Sequence, residues 1–202
     1  MTEAAEASQQ VPAEELERAA FYRLLAGLLS APPDDPALAT LTALEGDATP
    51  LGSAVTELAA RAAAAAPVDV RHEYEDLFIG IGRGELVPFA SYYLTGFLNE
   101  RPLARLRDDM ALLGIARAEK VREPEDHIAA LCEMMAGLIA GSFGEPLPLA
   151  RQQQFFDTHL APWAGRFFAD LEKASAARLY AAVGRLGRTF VEIETTAFEI
   201  AA

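Results

Sequence analysis

Apolar residues recur every three to four positions along most of the chain, in runs divided by proline- and glycine-rich breaks. That spacing is the signature of amphipathic helices. The first run, Glu14 to Ser30, carries Leu16, Ala19, Ala20, Tyr22, Leu24, Leu25 and Leu28 and stops at Ala31-Pro32-Pro33-Asp34-Asp35-Pro36. Asp35 is expected to cap a second helix with Pro36 in its first turn, and Gly46 to close it. A third helix spans 51–66 and ends in an alanine run. Asp69 is expected to cap a fourth, Val70 to Phe78, with Tyr74, Leu77 and Phe78 on one face.

A glycine-rich connector, Gly80 to Pro88, leads to the aromatic stretch Phe89 to Phe97. Glu100 to Leu113 is helical, with Leu103, Leu106, Met110 and Leu113 on one face and Gly114 at the end. Residues 115–122 lack a pattern and read as a linker. A central helix is expected from Pro124 to Ala140. Pro124, Glu125 and Asp126 suit its first turn, and His127, Leu131, Met134 and Leu138 share its face. Residues 149–172 give one bent or two short helices around Pro162, with Phe155, Phe156, Leu160, Trp163, Phe167, Phe168 and Leu171 inward. Residues 175–200 form the last helix. No alternating strand pattern and no internal repeat is found, so the fold class is all-α. The division expected is a flexible tail over 1–13, a helical subdomain over 14–114, a hinge over 115–124 and a second helical subdomain over 125–202.

Composition narrows the function. The chain has 202 residues, 51% of them hydrophobic, enough for a substantial core. Its formal net charge of −13 argues against nucleic acid and for basic partners. The single cysteine, Cys132, excludes an internal disulfide, fits a reducing compartment and lies on an apolar stripe, which suggests a buried, inert thiol. The amino terminus lacks a basic and apolar leader, and no stretch is long and apolar enough to span a bilayer. A cytoplasmic protein without stable membrane insertion is expected.

The densest cluster of charge is Glu119 to His127. Glu119-x-x-x-Glu123-Pro124-x-Asp126-His127 resembles the E-x-x-x-E-P-x-D-H signature of the TorD/DmsD/NarJ chaperones. Upstream, Tyr74-x-x-Leu77-Phe78 is similar to that family's aromatic-x-x-L-F motif, and Pro88-x-x-Ser91 to its P-x-x-S motif. Phe89 stands where a tyrosine is common in the family. The resemblance implies a cytoplasmic, TorD-like helical bundle of two subdomains joined by a hinge. It implies a chaperone that holds a molybdenum-cofactor oxidoreductase before export, through its twin-arginine signal peptide or its apo-form, and helps cofactor insertion. It implies no resident cofactor, with weak guanine nucleotide binding left open, and a monomer or domain-swapped dimer. The client-binding residues it suggests are Tyr74, Leu77, Phe78, Pro88, Ser91, Glu123, Asp126 and His127; the aromatic stretch adds Tyr92. Glu119, Glu123 and Pro124 are the hinge motif.

A metal-binding helical protein or enzyme would use His72, Glu123 and His127, yet the sequence has no Glu-x-x-His, and one cysteine excludes a cysteine-rich zinc site. Asp126 and His127 are neighbours, and adjacent helical residues point about 100° apart, so a catalytic dyad is disfavoured. A Glu123–His127 hydrogen bond, four positions apart, would fix the hinge. Ser91 lacks a nucleophile-elbow context, and His159 reads as a helix-end or surface residue. The glycines of 80–84 match neither a dinucleotide nor a P-loop pattern. A subunit held permanently in a larger complex is a third reading, and would expose much apolar surface when isolated.

Overall fold

The computed structural model describes residues 11–80, 83–117 and 122–201. Among the described residues it has ten α-helices and no strand beyond one isolated bridge: α1 (Ala13–Ser30), α2 (Asp35–Thr42), α3 (Pro50–Ala63), α4 (Pro67–Tyr74), α5 (Ala90–Thr95), α6 (Arg101–Leu112), α7 (Ile128–Ala140), α8 (Leu149–His159), α9 (Ala164–Lys173) and α10 (Leu179–Ala201). The fold is an all-α bundle.

The helix starts follow capping chemistry, sometimes one register away from expectation. Asp34, not Asp35, caps α2 by accepting from Ala37 N–H, with Pro36 at the second helical position. The helix ends at Thr42, before Gly46. Thr49 caps α3 through Gly52 N–H. Asp69 does not cap α4 but lies inside its first turn, because Pro67 already supplies a preorganised start. The expected continuation to Phe78 occurs as a single π-helical turn, Glu75–Ile79. The Pro162 region resolves into two helices, α8 and α9.

The largest correction concerns α7. Pro124 is not in its first turn: the helix begins at Ile128, and Pro124, Glu125 and Asp126 precede it. Asp126 is engaged elsewhere, and His127 takes the cap.

α7 is almost wholly apolar, with Ile128, Leu131, Cys132, Met135 and Ile139 buried, and it lies along α1. α10 packs against α9, α3 and α1. α9 and α10 pack closely, so that a Cβ on Gly184 would lie 2.4 Å from Glu172 N. Only glycine lets the two helices approach that far. Buried residues from α1 through α10 form one cluster, so helices before and after residues 115–124 share a core. Cys132 sits in that core, and burial pushes its thiol up to about 12. The inert reading of this cysteine therefore has a physical cause.

Candidate functional site

The P-x-x-S and E-P-x-D-H segments are drawn together although 35 residues separate Ser91 from Asp126. Phe89 and His127 form an isolated antiparallel bridge. Ala90 N–H donates to Asp126 O (3.0 Å) and Ile128 N–H to Pro88 O (2.9 Å). The Asp126 side chain completes the join: Oδ2 accepts from Ser91 N–H at 2.8 Å. This bond satisfies an open donor in the first turn of α5, a helix with no side-chain cap of its own. His127 does the same for α7, its Nδ1 accepting from Ala129 N–H at 3.1 Å. Its ring stands edge-on to Phe89, centroids 4.9 Å apart. Two helix starts are thus fixed by one short pair of segments.

An Nδ1 that accepts a hydrogen bond places the proton of neutral His127 on Nε2. Burial lowers the imidazole from 6.5 to about 4. The unfolded chain then binds a proton that the folded chain refuses. Stability is full above about pH 6.5 and is lost as pH falls toward 4. Asn also caps helices, so His127→Asn is expected to unfold with a flatter pH dependence than wild type between these values. Thermal melts across that range check it.

Glu125 is held by Arg107 at 2.8 Å and lies 3.5 Å from Arg117. Partial burial would raise its carboxyl, but the Arg107 hydrogen bond and both guanidinium charges hold it below the ordinary carboxylate range. Glu123 is exposed, and its carbonyl accepts from Arg117 at 2.9 Å. No Glu123–His127 hydrogen bond forms; the expected contact presumed a helix that starts four residues later. Glu119 lies outside the described residues.

The Y-x-x-L-F residues face inward. Leu77 is fully buried, while Tyr74 and Phe78 stack around Tyr180. Tyr74 O–H donates to Leu29 O and Tyr180 O–H to Leu28 O, tying this region to the end of α1. The π turn is held by the following segment, with Leu86 N–H on Leu77 O. Gly84 passes so close that a Cβ would sit 2.5 Å from Phe78 C. Pro88 and Ser91 are also buried, and Tyr92 is half-buried under Arg83.

Beside the join lies a groove of about 580 Å³. Its apolar walls include Ala26, Ile115, Ala129, Ala130, Met134 and Phe143; Glu123, Pro124, Glu125, His127 and Glu133 also line it, together with Arg23 and Arg117. Of the nine residues suggested for client contact, Glu123 and His127 reach this groove. The residues sequence reasoning missed are Glu133, Met134 in this role, and Phe143. His72 is exposed, and among the described residues no three histidine, cysteine or carboxylate groups gather to hold a metal.

Residues 44–169 match the family model described as nitrate reductase delta subunit. The chain belongs to the nitrate reductase delta subunit family. Among similar curated proteins is a chaperone protein TorD from Vibrio cholerae, 30% identical over 134 residues. That alignment covers 63% of this chain and 61% of the relative, so the chain spans about three-fifths of the first curated relatives it matches. A chaperone protein TorD from Psychrobacter is 26% identical over 95% of this chain and 96% of its own length. A crystal structure from Archaeoglobus fulgidus, described as that of a redox enzyme maturation protein, covers 90% of this chain with a TM-score of 0.58 at 21% identity. It is 95% covered in turn, and it shows the same fold. In this chain, the join between residues 88–91 and 123–128 is the feature that unites two of the three sequence motifs in space.

Proposed function

We propose that this family member is a cytoplasmic chaperone, not an enzyme, that binds a molybdenum-cofactor oxidoreductase precursor and assists its maturation before export. The observation that carries the reading is the 580 Å³ groove walled by the E-P-x-D-H segment, in a chain whose relatives are named TorD chaperones. An apolar stretch of a signal peptide fits against Met134, Phe143 and Ile115. Its paired arginines meet Glu123 and Glu133, whose carboxylates make no ion pair among the described residues; such charge-assisted bonds orient more than they tighten. Asp126 serves by holding the join in place, and Tyr74, Leu77 and Phe78 by supporting it from the core.

The test is maturation in the source organism. Deletion of the gene is expected to lower the activity of one exported molybdoenzyme, and the wild-type gene to restore it. Glu123→Gln with Glu133→Gln is expected to restore it incompletely. Full activity of every molybdoenzyme in the deletion strain would refute the reading.

A further inference from the structure

The groove beside the join runs along α7 and has a built end. Ala129, Ala130, Glu133 and Met134 line it on that helix, after His127 and residues 123–125 at the helix start. The next position on the same face is Gly137, at i+7 from Ala130 and i+3 from Met134. Gly137 does not line the groove, and Phe143 does. The three atoms nearest to where a Gly137 Cβ would stand are all ring atoms of Phe143, with Cζ at 2.7 Å. Only glycine admits a ring so close to the helix backbone. The turn after α7 delivers that ring. The chain reverses at Gly141 (φ 77°), and Ser142 N–H donates back to Gly137 O at 2.8 Å. Leu147 N–H then reaches Leu138 O at 2.9 Å and closes the turn. One side of the ring therefore lies on the helix. Phe143 nonetheless keeps 38% of its surface open, and it borders the groove.

We propose that Phe143, seated on Gly137, is the end wall of the groove and limits the apolar segment of the client that the groove accepts. This role rests on the groove being the site for a signal peptide. From His127 to Met134 the helix rises by about 10 Å, at about 1.5 Å per residue. That reach holds roughly two turns of a helical peptide, or about three residues of an extended one. A bulky side chain beyond it meets the Phe143 ring. The ring cannot sink to make room, because the backbone of Gly137 lies directly beneath it. Nor is the turn that carries it slack, being closed by the Ser142 and Leu147 hydrogen bonds. Specificity then comes from rejection at one point. Many apolar sequences fit along α7, and bulk is refused where the groove stops.

The experiment uses full-length protein and calorimetry with twin-arginine signal peptides of molybdoenzymes from the same genome. In the peptide that binds, tryptophan is placed in turn at each position of the apolar stretch. Wild type is expected to reject it at the position that abuts Phe143, with a loss of about tenfold or more, as overfilled apolar sites do. Phe143→Ala is expected to take that same peptide nearly as well as its own parent peptide, and to match wild type at every other position. Gly137→Ala keeps the ring but unseats it, in a helix that favours alanine. It is expected to alter tolerance at that same position and no other. Binding of the parent peptide by both variants shows that they are folded. Identical scans of wild type, Phe143→Ala and Gly137→Ala would overturn the end wall and leave signal-peptide binding standing. Tryptophan accepted by wild type at every position would overturn it too. Failure of wild type to bind any peptide would refute the groove as the signal-peptide site, and the end wall with it.

Discussion

Arg18→Met is expected to destabilise the protein by about 3–5 kcal/mol, the usual consequence of leaving one partner of a buried pair behind. Arg18 grips Glu194 with two bonds, Nε to Oε1 at 2.8 Å and Nη2 to Oε2 at 2.7 Å. Glu194 also accepts from Tyr22 O–H at 2.9 Å and is almost fully buried. Around the pair, Arg18 Nη1 donates to Glu15 and to Gln152 Oε1, and Gln152 Nε2 donates to Glu15 and Leu147 O. The network joins α1, α8 and α10. Without the guanidinium, a carboxylate remains in the core with one hydroxyl to solvate it. Urea unfolding measures the loss. The double variant R18M/E194L is expected to recover much of it, because an apolar pair of similar size removes the buried charge and leaves only the Tyr22 hydroxyl without its Glu194 acceptor. Equal stability of R18M and wild type would show that Glu194 is solvated in solution.

Glu73→Ala is expected to destabilise by about 2–3 kcal/mol, since it removes a helix cap and strands buried donors. The Glu73 carboxylate accepts from the N–H groups of Arg178 (2.6 Å), Leu179 (3.2 Å) and Tyr180 (2.7 Å). These are the open donors at the start of α10, where the dipole also favours an anion. Glu73→Gln keeps an acceptor without the charge and is expected to fall between Ala and wild type. Urea unfolding again reads the order. An Ala variant as stable as Gln would deny the capping role.

Glu73 also shows where sequence reading stops. In the chain it sits between His72 and Tyr74 with nothing to mark it; its partners lie more than 100 residues away, and no local pattern announces a cap supplied from a distant helix. His159 is a similar case. It ends α8, as a helix-end residue should, but it is buried rather than at the surface, with Nε2 2.8 Å from an Asp109 oxygen. The helices themselves were legible because apolar periodicity and Pro/Gly breaks act locally. The inward face Phe155, Phe156, Leu160, Trp163, Phe167, Phe168 and Leu171 is buried throughout.

The motif region was legible as a motif and not as a structure. Glu125 and Asp126 next to a proline look like a helix first turn, and the helix start moved because Asp126 spends its carboxylate on Ser91 and leaves the cap to His127. Sequence named the residues of both segments but could not show that they pair with each other. The groove was hidden for the same reason, because its walls come from α1, residues 115–117 and 123–125, α7 and Phe143.

Titration calorimetry of the protein against twin-arginine signal peptides from molybdoenzymes of the same genome tests the central claim most directly. Each peptide is run beside a control with both arginines changed to alanine, and against the protein variant carrying Glu123→Gln and Glu133→Gln. The expected result is saturable binding of one peptide by wild type, weakened by either change. Absence of binding to every peptide, or binding indifferent to both changes, would contradict recognition of a signal peptide in the groove beside His127.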